Sequence, residues 1–279
     1  MEWKGRRAST NVEDRRGMSK GIVGGGIGTI ILVILYALLG GNPADIINQT
    51  QVNNSGQTSN YQETAAEKEM AQFVAVVLAE TEDVWVELFR QQGRTYAYPT
   101  LVLFSDRVES ACGVAGSSTG PFYCSADQKL YIDLSFYDEM AKKLGASGDF
   151  AMAYVIAHEV GHHVQNQQGT LDQVHALRSR LSEAEYNEYS VRLELQADYY
   201  AGVWAHYANR MQLLEEGDLE EALNAASAVG DDRIQKKSQG YVVPDSFTHG
   251  TSEQRQRWFY KGYQSGTIGG GDTFSARTL

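Results

Sequence analysis

The 279-residue chain predicts an α+β fold behind a single N-terminal transmembrane helix. Three observations carry this reading. An uncharged run from Gly21 to Gly41 follows a basic start, a long helical period precedes a stretch rich in aromatic and β-branched residues, and helical periodicity then continues almost to the C-terminus. At 42% hydrophobic and 21% charged residues, the composition supports a packed core and excludes wholesale disorder or a polytopic membrane protein.

Residues 1–20 carry six Lys/Arg against three acids, a net of +3, and read as a basic cytoplasmic tail. Residues 21–41 read as the transmembrane helix, because 21 uncharged, mostly apolar residues at about 1.5 Å each span roughly the hydrocarbon core. The Lys/Arg excess precedes that helix, so the positive-inside rule expects a single pass through the inner (cytoplasmic) membrane, N-terminus inside and residues 42–279 in the periplasm or outside. A cleaved signal peptide is the weaker reading, since no A-x-A-like site follows Leu39. Gly21/Gly25 and Gly24/Gly28 have the small-xxx-small spacing of close helix pairs, which makes a homo-oligomer through these glycines an expectation. Residues 42–62 include 13 Asn, Gln, Ser or Thr and read as a polar linker. From Asn42 onward 18 basic residues face 32 acidic ones, net −14, which argues against nucleic acid as a partner.

Residues 63–265 form the expected globular domain. Glu63–Gln92 has a helical apolar period without Pro or Gly, apart from its flanks. Thr95–Ser105 and Gly120–Phe136 read as strands of a small sheet, the second folding into a hairpin at Ser125–Lys129. Cys112 and Cys124 lie close in sequence, and the outward topology makes a disulfide the expected state, worth roughly 3 kcal/mol for so short a loop. Further helices are expected over Phe150–Asn166, Leu171–Leu181, Glu183–Met211, Leu219–Val229 and Ser252–Tyr263. Residues 266–279 are glycine-rich and expected to fray.

The chemistry concentrates at His158-Glu159-Val160-Gly161-His162, an HExxH pattern inside a predicted helix. Residues four apart share a helical face, so both imidazoles reach one Zn²⁺, while Glu159 addresses the metal's water as general base. His163, rotated about 100° from His162, cannot join them. A third protein ligand is required. The metzincin extension needs Gly at 165 and His at 168, where this chain has Gln165 and Gln168. His175 and His206 remain possible by type, and Glu194 is the better candidate: Glu194 and Asp198 share a face of a helix with apolar neighbours on both sides. In that arrangement Glu194 binds the metal, and Asp198 bonds a histidine ligand or a nearby cation.

HEVGHHVQ followed by ELQADYYAG resembles the gluzincin-type peptidases, and its E-x-x-A-D-x-x-A form is similar to the heat-shock and CAAX-prenyl metalloproteases. With the GPFYC-x-x-D segment and FTHGTSEQR added, nearly the whole chain resembles the bacterial "putative neutral zinc metallopeptidase" family. That resemblance implies a zincin-like domain, zinc held by His158, His162 and Glu194, Glu159 as general base and Asp198 as the supporting acid. Thr248-His249 with Arg255 resembles the T-H-x5-R stretch of the prenyl-protease-like enzymes, which implies that His249 stabilises the oxyanion; Arg255 is expected to fix that loop by pairing with Asp198. The Asn-Ala edge-strand motif of those enzymes is absent and no Pro follows His249; docking of a peptide or protein substrate along Phe122–Ser125 is expected from topology alone. The resulting expectation is a membrane-anchored zinc endopeptidase of the bacterial envelope. A non-catalytic zinc-stabilised module and a cell-wall amidase are the rival readings.

Overall fold

Thr64 starts the first helix of the domain. Its side chain accepts from the Glu67 amide and Glu67 reaches back to the Thr64 amide, a capping box that satisfies two otherwise open donors of α1 (Ala65–Gln91). The computed structural model describes residues 1–17 and 61–279, so the expected membrane helix 21–41 and nearly all of the linker 42–62 lie outside the described residues. Among the described residues, no helix is long and apolar enough to cross a membrane.

Residues 1–20 were expected as a separate basic tail, and that expectation is corrected: Met1–Arg15 folds as one unit with Glu63–Leu279. Val12–Asp14 forms β1, paired in parallel with β2 (Thr100–Phe104), Val12 opposite Leu101 and Asp14 opposite Leu103. Trp3 is buried with its ring edge-on to Phe73 of α1, centroids 5.5 Å apart. Some of the basic side chains find partners on α1, whose buried Glu82 accepts from Ser9 Oγ at 2.6 Å and Asn11 Nδ2 at 2.8 Å and pairs with Arg7 at 3.3 Å. Arg6 pairs with Glu80 at 3.4 Å. Part of the charge that reads in the sequence as a topology signal, on Lys4, Arg6 and Arg7, is answered in the fold by acids on α1.

The sheet has the order β1-β2-β6-β5, where β5 is Phe122–Cys124 and β6 is Lys129–Asp133. β1, β2 and β6 run parallel; β5 and β6 form the expected antiparallel hairpin, leaving β5 at one edge. Alternation along β2 divides its side chains: Leu101 and Leu103 join the main core beside the helices, Val102 and Phe104 a smaller cluster with Val108, Tyr131 and Cys124. A second hairpin, β3 (Arg107–Ser110) with β4 (Gly113–Gly116), was not anticipated. The bond between Cys112, in its turn, and the buried Cys124 of β5 fastens it to the sheet edge, with Cα atoms 5.8 Å apart.

The helices follow. α2 (Ser135–Glu139) runs into a π-helical turn, and α3 (Asp149–Gln168) is the central helix, buried on nearly every face. Leu171–Leu181 is helical only over α4 (Thr170–His175), because Leu171 and Val174 are buried there while the following residues are mostly exposed and continue as turns. α5 (Glu183–Arg210), α6 (Asp218–Ala228), α7 (Asp231–Gln239) and α8 (Ser252–Ser265) complete the set. α5 and α8 touch backbone to backbone: a Cβ on Gly202 would stand 2.0 Å from the Phe259 carbonyl oxygen. The tail from Gly266 is not frayed. Arg192 binds the carbonyls of Thr273, Phe274 and Ala276, and Gln196 donates to the Gly271 carbonyl at 2.8 Å. Those side chains of α5 supply the hydrogen bonds that glycine-rich backbone lacks on its own.

Candidate active site

The HExxH segment sits in the second half of α3, where His158 and Glu159 are buried and His162 is half-buried. Gly161 lets α3 lie against α5, since a Cβ there would stand 2.9 Å from the Ala197 carbonyl oxygen. That close approach carries Glu194 and Asp198, either side of Ala197, over the two histidines. His158 Nε2 is 3.1 Å from Glu194 Oε2, and His162 Nε2 is 3.4 Å from Glu194 Oε1. A tetrahedral zinc with bonds of about 2.0 to 2.1 Å sets its ligand atoms about 3.3 Å apart, so these three side chains have the spacing and donor types of a zinc site with one open position.

Each ligand is oriented from behind. His158 Nδ1–H donates to Asp198 Oδ1 at 2.8 Å, which leaves Nε2 for a metal. Asp198 is fully buried and also accepts from Tyr154 Oη at 2.6 Å and from Arg255 Nε and Nη2 at 2.8 and 2.9 Å. Desolvation raises its pKa, but Arg255 and His158 outweigh that and hold it at about 2. His162 Nδ1–H donates to Gln165 Oε1 at 2.9 Å, and Gln165 Nε2 is anchored on the Leu193 carbonyl at 2.7 Å. Burial opposes charge on Glu194 as well, yet the neighbouring histidines keep its pKa well below the usual carboxylate range.

A cleft of 540 Å³ opens over this group, with Glu159, His249 and His175 on its walls and Phe122 and Tyr123 of the β5 edge along one side. His249 is half-exposed there; its pKa is lowered by desolvation and raised, on balance, by Glu194 and Asp231. His206 lies elsewhere, its Nδ1–H donating to the Tyr263 carbonyl at 2.8 Å. His163 points to the back of α3, where Nε2–H donates to the Ala97 carbonyl at 2.7 Å and Nδ1 accepts from Tyr123 Oη at 2.9 Å. The structure thus brings together His158, Glu159, His162, Glu194, Asp198, His249 and Arg255.

Three participants escaped sequence reasoning. Tyr154 had a usable signal, being one helical turn before His158 on the same face. Gln165 entered only to exclude a ligand pattern. Asp231 had no signal, because its partners lie 17 to 19 residues later. A second carboxylate group, Asp149, Asp218 and Glu221, also has ligand-like spacing, but the Met1 ammonium stands 2.8 Å from Asp149 and 3.4 Å from Asp218 and supplies its positive charge.

The model of a family described as "Putative neutral zinc metallopeptidase" matches residues 1–274. Escherichia coli (strain K12) protein YpfJ is 51% identical over 283 residues, covering 98% of this chain and 99% of its own. Mycobacterium tuberculosis (strain H37Rv) protein Rv2575 is 45% identical over 195 residues, 66% of this chain and 65% of its own. No solved structure matches the chain.

Proposed function

We infer from one premise, that the chain belongs to the putative neutral zinc metallopeptidase family, that it is a zinc-dependent endopeptidase acting through Glu159 as general base. The observation that carries this reading is the shared cleft: Glu159 lines the same wall as a His158–His162–Glu194 group whose atoms have zinc-ligand spacing. Zinc held by His158, His162 and Glu194 would supply a Lewis acid for the scissile carbonyl and would lower the pKa of water towards about 7. Glu159 takes the proton from the attacking water and later passes it to the leaving amine. His249, on the cleft wall, donates to the carbonyl oxygen as it gains negative charge. The side of β5 that pairs with no strand among the described residues receives the substrate as an added strand, because main-chain pairing there runs the peptide along Phe122 and Tyr123 past the metal ligands.

An envelope location is part of the proposal, supported by the disulfide between Cys112 and Cys124. Because β1 pairs with β2, we place residues 1–15 on the same side of the membrane as the catalytic domain rather than in the cytoplasm, a placement that replaces the single crossing expected for residues 21–41. Labelling of single cysteines introduced at exposed positions near both ends tests this; opposite sidedness would overturn it.

Purified protein should contain about one zinc per chain and digest denatured casein. Glu159→Gln should keep the zinc and the fold while turnover drops by about 10² or more, since only the proton acceptor is lost. Equal turnover by both forms would sink the peptidase reading. Release of muropeptide ends from peptidoglycan, with casein left intact, would replace it by the amidase.

A further inference from the structure

We propose that Asp231 is the positioning residue that holds the His249 loop and ring in their reacting arrangement, an inference that rests on the peptidase reading above. Residues 248–250 belong to neither a helix nor a strand, so their amides have no helical or ladder partner and need an acceptor from elsewhere. Asp231 provides it. One oxygen, Oδ2, accepts three successive amides, from Thr248 at 2.8 Å, His249 at 2.7 Å and Gly250 at 3.1 Å. Bonds to a carboxylate are about twice as strong as those to a neutral acceptor, and three of them converging on one atom permit a single loop conformation.

The other oxygen acts on the ring. Asp231 Oδ1 is 3.3 Å from His249 Nδ1, which also lies 3.0 Å from Thr248 Oγ1. With Nδ1–H turned towards Asp231, Nε2 is left on the opposite side of the imidazole, where the doubly protonated ring donates into the cleft that His249 lines. The support is itself fixed. Asp231 N–H donates to the Gly250 carbonyl at 2.9 Å, and Asp232 Oδ1 accepts from the Ser252 amide at 2.7 Å and its hydroxyl at 2.9 Å. The start of α7 is thereby joined to the start of α8, the helix whose Arg255 grips Asp198. Two carboxylates then perform matching tasks: Asp198 orients His158 through Nδ1, and Asp231 orients His249 through the same atom.

An acid in the first turn of a helix also stabilises that helix in a general way, and a double-mutant cycle separates the two roles. Asp231→Asn, His249→Ala and the double variant are compared in the full chain, on an internally quenched peptide selected from casein digests. Asp231→Asn should lower kcat tenfold or more with KM and zinc content unchanged, and the double variant should match His249→Ala within about twofold. The same loss in both backgrounds would overturn the proposal, as would unchanged kcat or loss of zinc or fold in Asp231→Asn. The ¹⁵N signature of the His249 ring gives a readout independent of turnover: wild type should show Nδ1 protonated and hydrogen-bonded, and Asp231→Asn should shift that resonance. If Glu159→Gln equals wild type in turnover while the ring signal shifts, the peptidase reading fails and the positioning role stands.

Discussion

Acidification should weaken the fold through one imidazole, His163. It is fully buried between β5 and the Ala97 carbonyl, and desolvation outweighs the opposing hydrogen bond to that carbonyl, pushing its pKa down to about 4. In the unfolded chain it titrates near 6.5. Between those values the unfolded state takes up a proton that the folded state refuses. Stability is therefore intact above pH 6.5 and falls as pH drops through the unfolded value, until the folded value is passed. The loss attributable to His163 is about 2 kcal/mol at pH 5, approaching about 3 kcal/mol below pH 4. His163→Gln is the matched control, because its amide can donate to Ala97 and accept from Tyr123 without titrating. Urea denaturation of both chains, each stripped of metal with the same chelator, should be followed at pH 7 and pH 5. Wild type should lose about 2 kcal/mol more than the variant over that interval. Equal losses would refute the reasoning, since every other titrating group is shared by the two chains.

His158→Ala or His162→Ala should abolish zinc binding measured by metal analysis, because two protein ligands seldom hold a catalytic zinc; full retention in both would remove the proposed ligand set. Intact mass without reduction should be two hydrogens below the dithiol, and two free thiols in protein isolated from the envelope would contradict the Cys112–Cys124 bond. Gly202→Ala should lower Tm by several degrees, about 1 to 3 kcal/mol of overpacking against the Phe259 carbonyl; an unchanged Tm would show that α5 and α8 separate at little cost.

The long helices were legible because their burial is periodic: α1 and α5 begin and end within about two residues of the pattern's limits. β1 was not. Three residues, Val-Glu-Asp, with none fully buried, carry no pattern, and their strand exists only through pairing with β2 some 90 residues later. Arg6 and Arg7 misled for a related reason, since a sequence shows excess charge but not the buried carboxylates that answer it. In the site, Glu194 and Asp198 stood out as two acids one turn apart among apolar neighbours, and the structure sets both against His158. The backbone amides that Asp231 gathers are common to every residue, so no side-chain pattern announces them.

The place of β1 in the sheet bears on how the protein can be handled. Cutting before residue 42, the natural way to free the domain of its apolar run, would also remove the strand that covers the outer side of β2. The exposed edge would present unpaired amides and carbonyls over Thr100–Phe104, a template for joining other chains, and Glu80 and Glu82 would stay in α1 without the arginines that answer them. Such a fragment should aggregate for reasons unrelated to its chemistry, and a synthetic peptide of residues 1–15 supplied alongside it should restore the missing strand.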